Sequence, residues 1–212
     1  MNSYKEIMEQ VSLGLAQAKE AKIDDIAIDL ETLGTKPGAP IVAIGLAGFC
    51  RRYGKVYPLM YQTIDLESAI DNSTGVDPKT LEWWLMQERD AVEQTFLTPK
   101  SRFDLYESLA QLTDIFEYLD NPKPWGNGAT FDISLLEETY RLTGQEAPWK
   151  HWNVRDCRTV VDLGRMILGT DIKKEMPFEG TKHNALFDAM HQAHYTAEII
   201  SQLGATNIGC EE

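Results

Sequence analysis

The chain has 212 residues, 43% apolar and 25% charged, which suits one α/β-sized domain with a substantial buried core. Its net charge of −13 argues against a protein that grips long nucleic-acid duplexes through a basic face, though it leaves open contact with phosphate through metal. No apolar run reaches bilayer length and the N-terminus lacks a signal-peptide core, so a cytosolic protein with no membrane partner is expected. Cys50, Cys157 and Cys210 are odd in number and far apart. They fit buried or tail thiols better than a disulfide frame or a zinc knuckle.

In chain order, residues 3–20 read as an amphipathic helix. Ser3 and Glu6 form a capping-box pattern, and Ile7, Val11 and Leu15 supply the apolar stripe. A first strand is expected at about 23–30, a fully buried second strand at "IVAIGLAGF", and a hairpin turn at "RRYGK" into a third strand near "VYPLMYQ". Asp77 and Pro78 open a helix through "TLEWWLMQ". A long helix is expected over 101–119, with Phe103, Leu105, Leu109, Leu112, Phe116 and Leu119 on its apolar face. A short strand near "KPWGN" leads into a helix at 133–143, and further helices follow at 156–168 and 184–203. "GATNIGCEE" reads as a frayed tail. The chain shows no repeat, low-complexity tract or domain-splitting linker, so the whole is read as one domain.

Three segments carry acidic residues whose placement asks for a reason. In "IAIDLETLG", side chains alternate, so Ile26, Ile28 and Leu30 face one way while Ala27, Asp29 and Glu31 face the other. Two adjacent carboxylates repel and resist burial unless a cation lies between them; the plain alternative is a strand ending at a wet edge. In "WGNGATFDISLL", Asp132 reads either as an N-cap with Phe131 as its hydrophobic staple, or as a site residue at a strand-to-helix turn beside Gly126 and Gly128. In "KHNALFDAMHQAHY", five helical residues turn about 500°, which puts His183 in the loop before a helix capped by Asn184. Asp188 then lies roughly opposite a stripe of Leu186, Met190, Ala193, Ala197 and Ile200, where a solvated aspartate is the ordinary occupant.

Taken jointly, D-x-E, N-x-x-x-F-D and H-x-x-x-x-D in this order resemble the DEDDh family of 3′–5′ exonucleases. "DLETLGTKPGAPIVAIG", "TLEWWLMQ", "WGNGATFD", "PWKHWNVRDCRT" and "HNALFDAMHQA" are similar to its phage and bacterial exonuclease VIII-like or DexA-like branch, which includes a mycobacterial exoribonuclease-like group. The resemblance implies an α/β, ribonuclease H-like fold with a mixed sheet of about five strands. It also implies that Asp29, Glu31, Asp132 and Asp188 ligate two divalent ions, Mg²⁺ or Mn²⁺, with His183 as general base. A bacterial or phage-infected cytoplasm would be the setting. The partner would be the 3′ end of single-stranded or frayed DNA or RNA, cleaved to nucleoside 5′-monophosphates; nothing in the sequence sets an oligomeric state.

The chemistry agrees with those residue types. A phosphodiester is anionic, so hydrolysis needs cations at the attacking and leaving oxygens, and hard divalent ions prefer carboxylate oxygen. Two such ions would bring the net charge from −13 to −9. Thr32 and Leu33 are expected near the terminal nucleotide, and Asn127 as a hydrogen-bonding or loop-holding residue. Phe131 and Trp83 are expected to stack on bases, Trp84 to be core, and Lys182 to be either solvated or near a phosphate. Two rival readings stand beside this one. A zinc hydrolase of His183, Asp188, His191 and His194 leaves Asp29, Glu31 and Asp132 unexplained. A non-catalytic binding module on the same fold has no need of mutually repelling carboxylates.

Overall fold

A computed structural model describes residues 4–51, 54–97 and 102–207. Helix α1 (Tyr4–Ala21) buries Ile7, Val11 and Ala18 and rests on β3, where Gly14 lets the helix meet the Pro58 carbonyl. The anticipated Ser3 cap lies outside the described residues. Strands β1 (Asp25–Thr32), β2 (Ile41–Phe49) and β3 (Val56–Ile64) form an antiparallel meander. Strands β4 (Arg102–Phe103), β5 (Lys123–Gly126) and β6 (Arg155–Asp156) join in parallel, giving the six-stranded order β4-β3-β2-β1-β5-β6.

Between them run α2 (Leu66–Asp71), α3 (Pro78–Trp84), α4 (Arg89–Phe96), α5 (Leu105–Tyr118), α6 (Asp132–Leu142), α7 (Cys157–Leu168), α8 (Ile172–Glu175) and α9 (Ala185–Asn207). The long helix expected from 101 starts later, because the Asp104 carboxylate accepts the Tyr106 amide at 2.8 Å and caps α5. Phe103 is therefore a strand residue beside Ile64.

The alternation of β1 divides the core. Ile26, Ile28 and Leu30 pack with Leu109, Leu112, Phe116, Ile133 and Leu136 of α5 and α6. Ala27 packs on the opposite face with Ala47, Phe49, Trp125 and residues of α7 and α9. Helix α9 crosses that second face at Gly45, which is paired with Asp29. A Cβ on Gly45 would lie 2.1 Å from the Ala185 backbone, so only glycine permits this approach. Cys157 is buried and Cys50 half-buried, both as free thiols; Cys210 lies outside the described residues. No helix among the described residues is long and apolar enough to cross a membrane.

Candidate active site

A cleft of about 580 Å³ opens at the C-terminal end of β1. Asp29, Glu31, Thr32, Trp83, Asn127, Phe131, Asp132, His183 and Asp188 all line it, although they come from segments as far apart as β1 and α9. Glu31 and Asp132 are only 7% and 3% exposed. The wet strand edge is thereby set aside for Glu31.

Each acidic residue is held for a local reason. Asp29 accepts a 2.6 Å hydrogen bond from Gln192 Nε2, one turn beyond Asp188 on α9. Helix α6 is capped at Phe131, so Asp132 is its first residue and its carboxylate is not spent as the cap. The carboxylate instead lies near the backbone amides of Leu30, Asn127 and Asp132 itself, which oppose the rise of its pKa. Asn184 caps α9, its Oδ1 accepting the Leu186 and Phe187 amides, while the His183 and Asn184 amides lie near Asp188 and oppose the rise of its pKa. Asp188 is half-buried because α9 is covered on nearly every side, so the face opposite the expected stripe looks onto β1 and not onto water.

His183 stands before α9 in the left-handed region, at φ 60°. Its loop is tied down by Gln94, which accepts from Asn184 Nδ2 at 2.8 Å and donates to Thr181 Oγ1 at 3.1 Å. The Trp83 ring meets the imidazole edge to face, with centroids 5.0 Å apart. Trp84 is 2% exposed and core, as expected, and its Nε1 donates to the Thr32 carbonyl at 3.0 Å; Trp83 is the freer ring at 38%.

Leu33 departs from expectation. It is buried against Val42, Trp84 and Ala91, off the cleft wall, because β1 bulges between Glu31 and Thr32 and turns the next side chain inward. Lys182 is exposed beside His183 and within electrostatic reach of Asp188. Arg158, Lys79, Thr80 and Thr35 line the cleft without a signal in the sequence, and Asp77, expected only as a helix cap, lines it too. Gln192 was legible in principle, four residues after Asp188 on one helix face.

Burial is the main cause that pushes the acidic pKa values up. Asp29 is held well above the usual carboxylate range by burial and then by Asp132, Glu31 and Asp188, with the Gln192 bond opposing. Glu31 is raised well above its usual value by burial, Asp188 and Asp132. Asp132 reaches about 7 through burial, against its backbone amides and Arg158. Asp188 is raised by burial, with His183 opposing. One Asp188 oxygen, Oδ2, is buried with no hydrogen-bond partner. Ligand atoms of Glu31, His183 and Asp188 lie within 4.8 Å of one another. An orphaned carboxylate oxygen, mutually repelling acids and an oxygen-rich donor set fit a hard divalent cation.

His191 and His194 point elsewhere, into a separate cavity with Glu179, Met176 and Phe187. They do not join Asp188, which removes the geometric basis of the zinc-hydrolase alternative.

Residues 24–200 match the Rv2179c-like 3′-5′ exoribonuclease domain. The chain belongs to that family. The activity class its membership carries is that of a nuclease, and solved structures share the ribonuclease H-like fold of this exoribonuclease-like domain. Pop2p of S. pombe, in a form with Mg²⁺ and Mn²⁺ bound, is 13% identical with a TM-score of 0.58, over 93% of this chain and 90% of that one. The nuclease domain of 3′hExo, a DEDDh family member bound to rAMP, is 10% identical with a TM-score of 0.53, over 85% and 93%. A 3′-exonuclease described in the recognition of a histone mRNA stem-loop is 11% identical with a TM-score of 0.53, over 89% and 84%. No curated protein matches the chain in sequence.

Proposed function

We propose that this domain is a metal-dependent DEDDh 3′–5′ exonuclease that releases nucleoside 5′-monophosphates from single-stranded or frayed 3′ ends. The observation that carries this reading is the convergence of Asp29, Glu31, Asp132, Asp188 and His183 on one cleft from β1, α6 and the start of α9. The four carboxylates would hold two divalent ions, Mg²⁺ or Mn²⁺. Such ions supply positive charge to a phosphodiester and to the oxygens entering and leaving it.

The chain's own residues do the rest. A His183 imidazole nitrogen takes the proton from the attacking water, with the ring steadied by Trp83 and its loop by Gln94. Gln192 orients Asp29, and the nearby backbone amides favour the ionised form of Asp132. Trp83 and Phe131 offer stacking faces to bases, and Thr32 and Asn127 offer polar contacts. Leu33 supports this wall from behind. A cleft of about 580 Å³ suits one flexible strand entering end first. Family membership favours RNA as substrate, and the resemblance of the sequence motifs to exonuclease VIII-like and DexA-like enzymes extends the same proposal to DNA.

The test is digestion of matched RNA and DNA oligomers, labelled at the 5′ end, with Mg²⁺, Mn²⁺ or chelator. Metal-dependent shortening from the 3′ end with release of mononucleotides is expected. Binding without cleavage, or cuts in mid-strand, would refute the reading.

A further inference from the structure

The chain carries 33 acidic against 20 basic residues, so acidic partners outnumber the cations that could pair with them. Arg158, in the first turn of α7, lines the cleft, is exposed, and among the described residues has no ion-pair partner within 4.0 Å. Asp132 and Asp156 feel its charge, yet the Asp156 carboxylate is occupied by the Ala129 amide at 2.7 Å and by Thr159. The guanidinium lies over Gly128, at φ 101°, where a Cβ would come within 3.0 Å of its Cζ. The absence of a side chain there leaves room for the guanidinium at the cleft wall.

Next to it stands Asn127, also on the cleft wall. Lys173 of α8 donates to Asn127 Oδ1 at 3.4 Å and lies 5.1 Å from the centroid of the Tyr195 ring. Because the lysine engages the amide's oxygen, the Nδ2 donors are left for something else. Lys173 is itself half-buried, and that burial, followed by the charge of Arg158, lowers its pKa, with Asp171 opposing, as expected of two cations held near each other.

We propose that Arg158 and the Asn127 amide form a seat for a second backbone phosphate of the substrate strand, adjoining the one to be cleaved, with Lys173 as the residue that positions Asn127. This rests on the nuclease reading and adds to it a requirement on the substrate. A strand with an upstream phosphate is held better than a nucleotide with only one. A fork of fixed N–H donors suits a phosphate, and such contacts are strengthened by charge. The seat also explains how an acidic protein keeps hold of a polyanion without a basic face.

The experiment compares the parent protein with Arg158→Gln, Lys173→Met and Lys173→Arg. Affinity for a labelled single-stranded trinucleotide is measured in chelator over a salt series. KM is measured with Mn²⁺ on the same trinucleotide and on a p-nitrophenyl ester of a nucleoside 5′-monophosphate, which carries one phosphate. Arg158→Gln is expected to weaken trinucleotide binding about tenfold or more and to flatten the slope of log K against log salt by about 0.7. Its KM penalty on the trinucleotide should exceed that on the ester by a similar factor. Lys173→Met should lose severalfold on the trinucleotide, and Lys173→Arg should regain it. Unchanged trinucleotide affinity and slope in Arg158→Gln would overturn the seat. So would equal losses on both substrates, which would make Arg158 a counter-charge for Asp132. If the parent protein hydrolyses neither substrate, the nuclease reading fails by itself, and the binding series in chelator still decides the seat.

Discussion

At the scale of single residues, Asp29 shows what the cleft asks of its side chains. It is packed under α9, bonded to Gln192, and repelled by Asp132, Glu31 and Asp188. A fold retains such repulsion when a cation relieves it. Asp29→Asn should therefore abolish measurable turnover and also remove most of the thermal stabilisation that Mn²⁺ gives the parent protein. His183→Ala should lower turnover roughly 10²- to 10⁴-fold, the usual share of a general base, as read from initial rates on an oligomer. Turnover at the parental rate would remove His183 from that role. Leu33→Ala tests the corrected placement. It should cost stability, by about 2–5 kcal/mol in a denaturant titration, as for other buried leucines, while a substrate-contact role would show first in KM.

Among the elements, α9 decides the site, because its first residue meets β2 where β1 carries Asp29. Gly45→Ala would drive a methyl group into the Ala185 backbone and push His183 and Asp188 away from Glu31. We expect a loss of about 1–3 kcal/mol from overpacking, together with a fall in activity larger than stability alone explains. Calorimetry and initial rates on the same sample check this. The strands β1 to β3 and the helices α1, α3, α6, α7 and α9 were legible because their apolar residues recur at the right period and Asp77 and Pro78 mark a helix start. The helices α2, α4 and α8 were not, since four to eight residues are too few for periodicity to accumulate. The start of α5 was misplaced because Phe103 fits the helical stripe and only the Asp104 cap overrules it. Asp188 was placed opposite the apolar stripe, but that this face is covered and not solvated was not legible, since what covers α9 comes from β1, β2, α7 and α8. The order of the three acidic motifs was legible; Arg158, Gln94 and Gly45, which act through neighbours distant in the chain, were not.

For the whole molecule, the raised acids tie stability to pH and metal. An acid whose pKa is higher in the folded than in the unfolded protein adds stability that is fully present below about pH 4 and lost as pH rises through its folded value. For Asp132 that value is about 7, and Asp29, Glu31 and Asp188 are shifted in the same direction. The metal-free protein should therefore melt at a higher temperature at pH 7 than at pH 8.5. His191 and His194, lowered chiefly by burial, act in the opposite sense below about pH 6.5, so the comparison is made above it. Saturating Mn²⁺ should remove this dependence, adding about 2.7 kcal/mol at a hundredfold excess over its dissociation constant. A metal-free melting temperature that climbs from pH 7 to 8.5 would contradict this. The most direct test of the metal-dependent centre is anomalous diffraction at the manganese edge from crystals soaked in Mn²⁺. Two peaks enclosed by Asp29, Glu31, Asp132 and Asp188 are predicted; no peak there, or manganese only in the cavity of His191 and His194, would contradict the account.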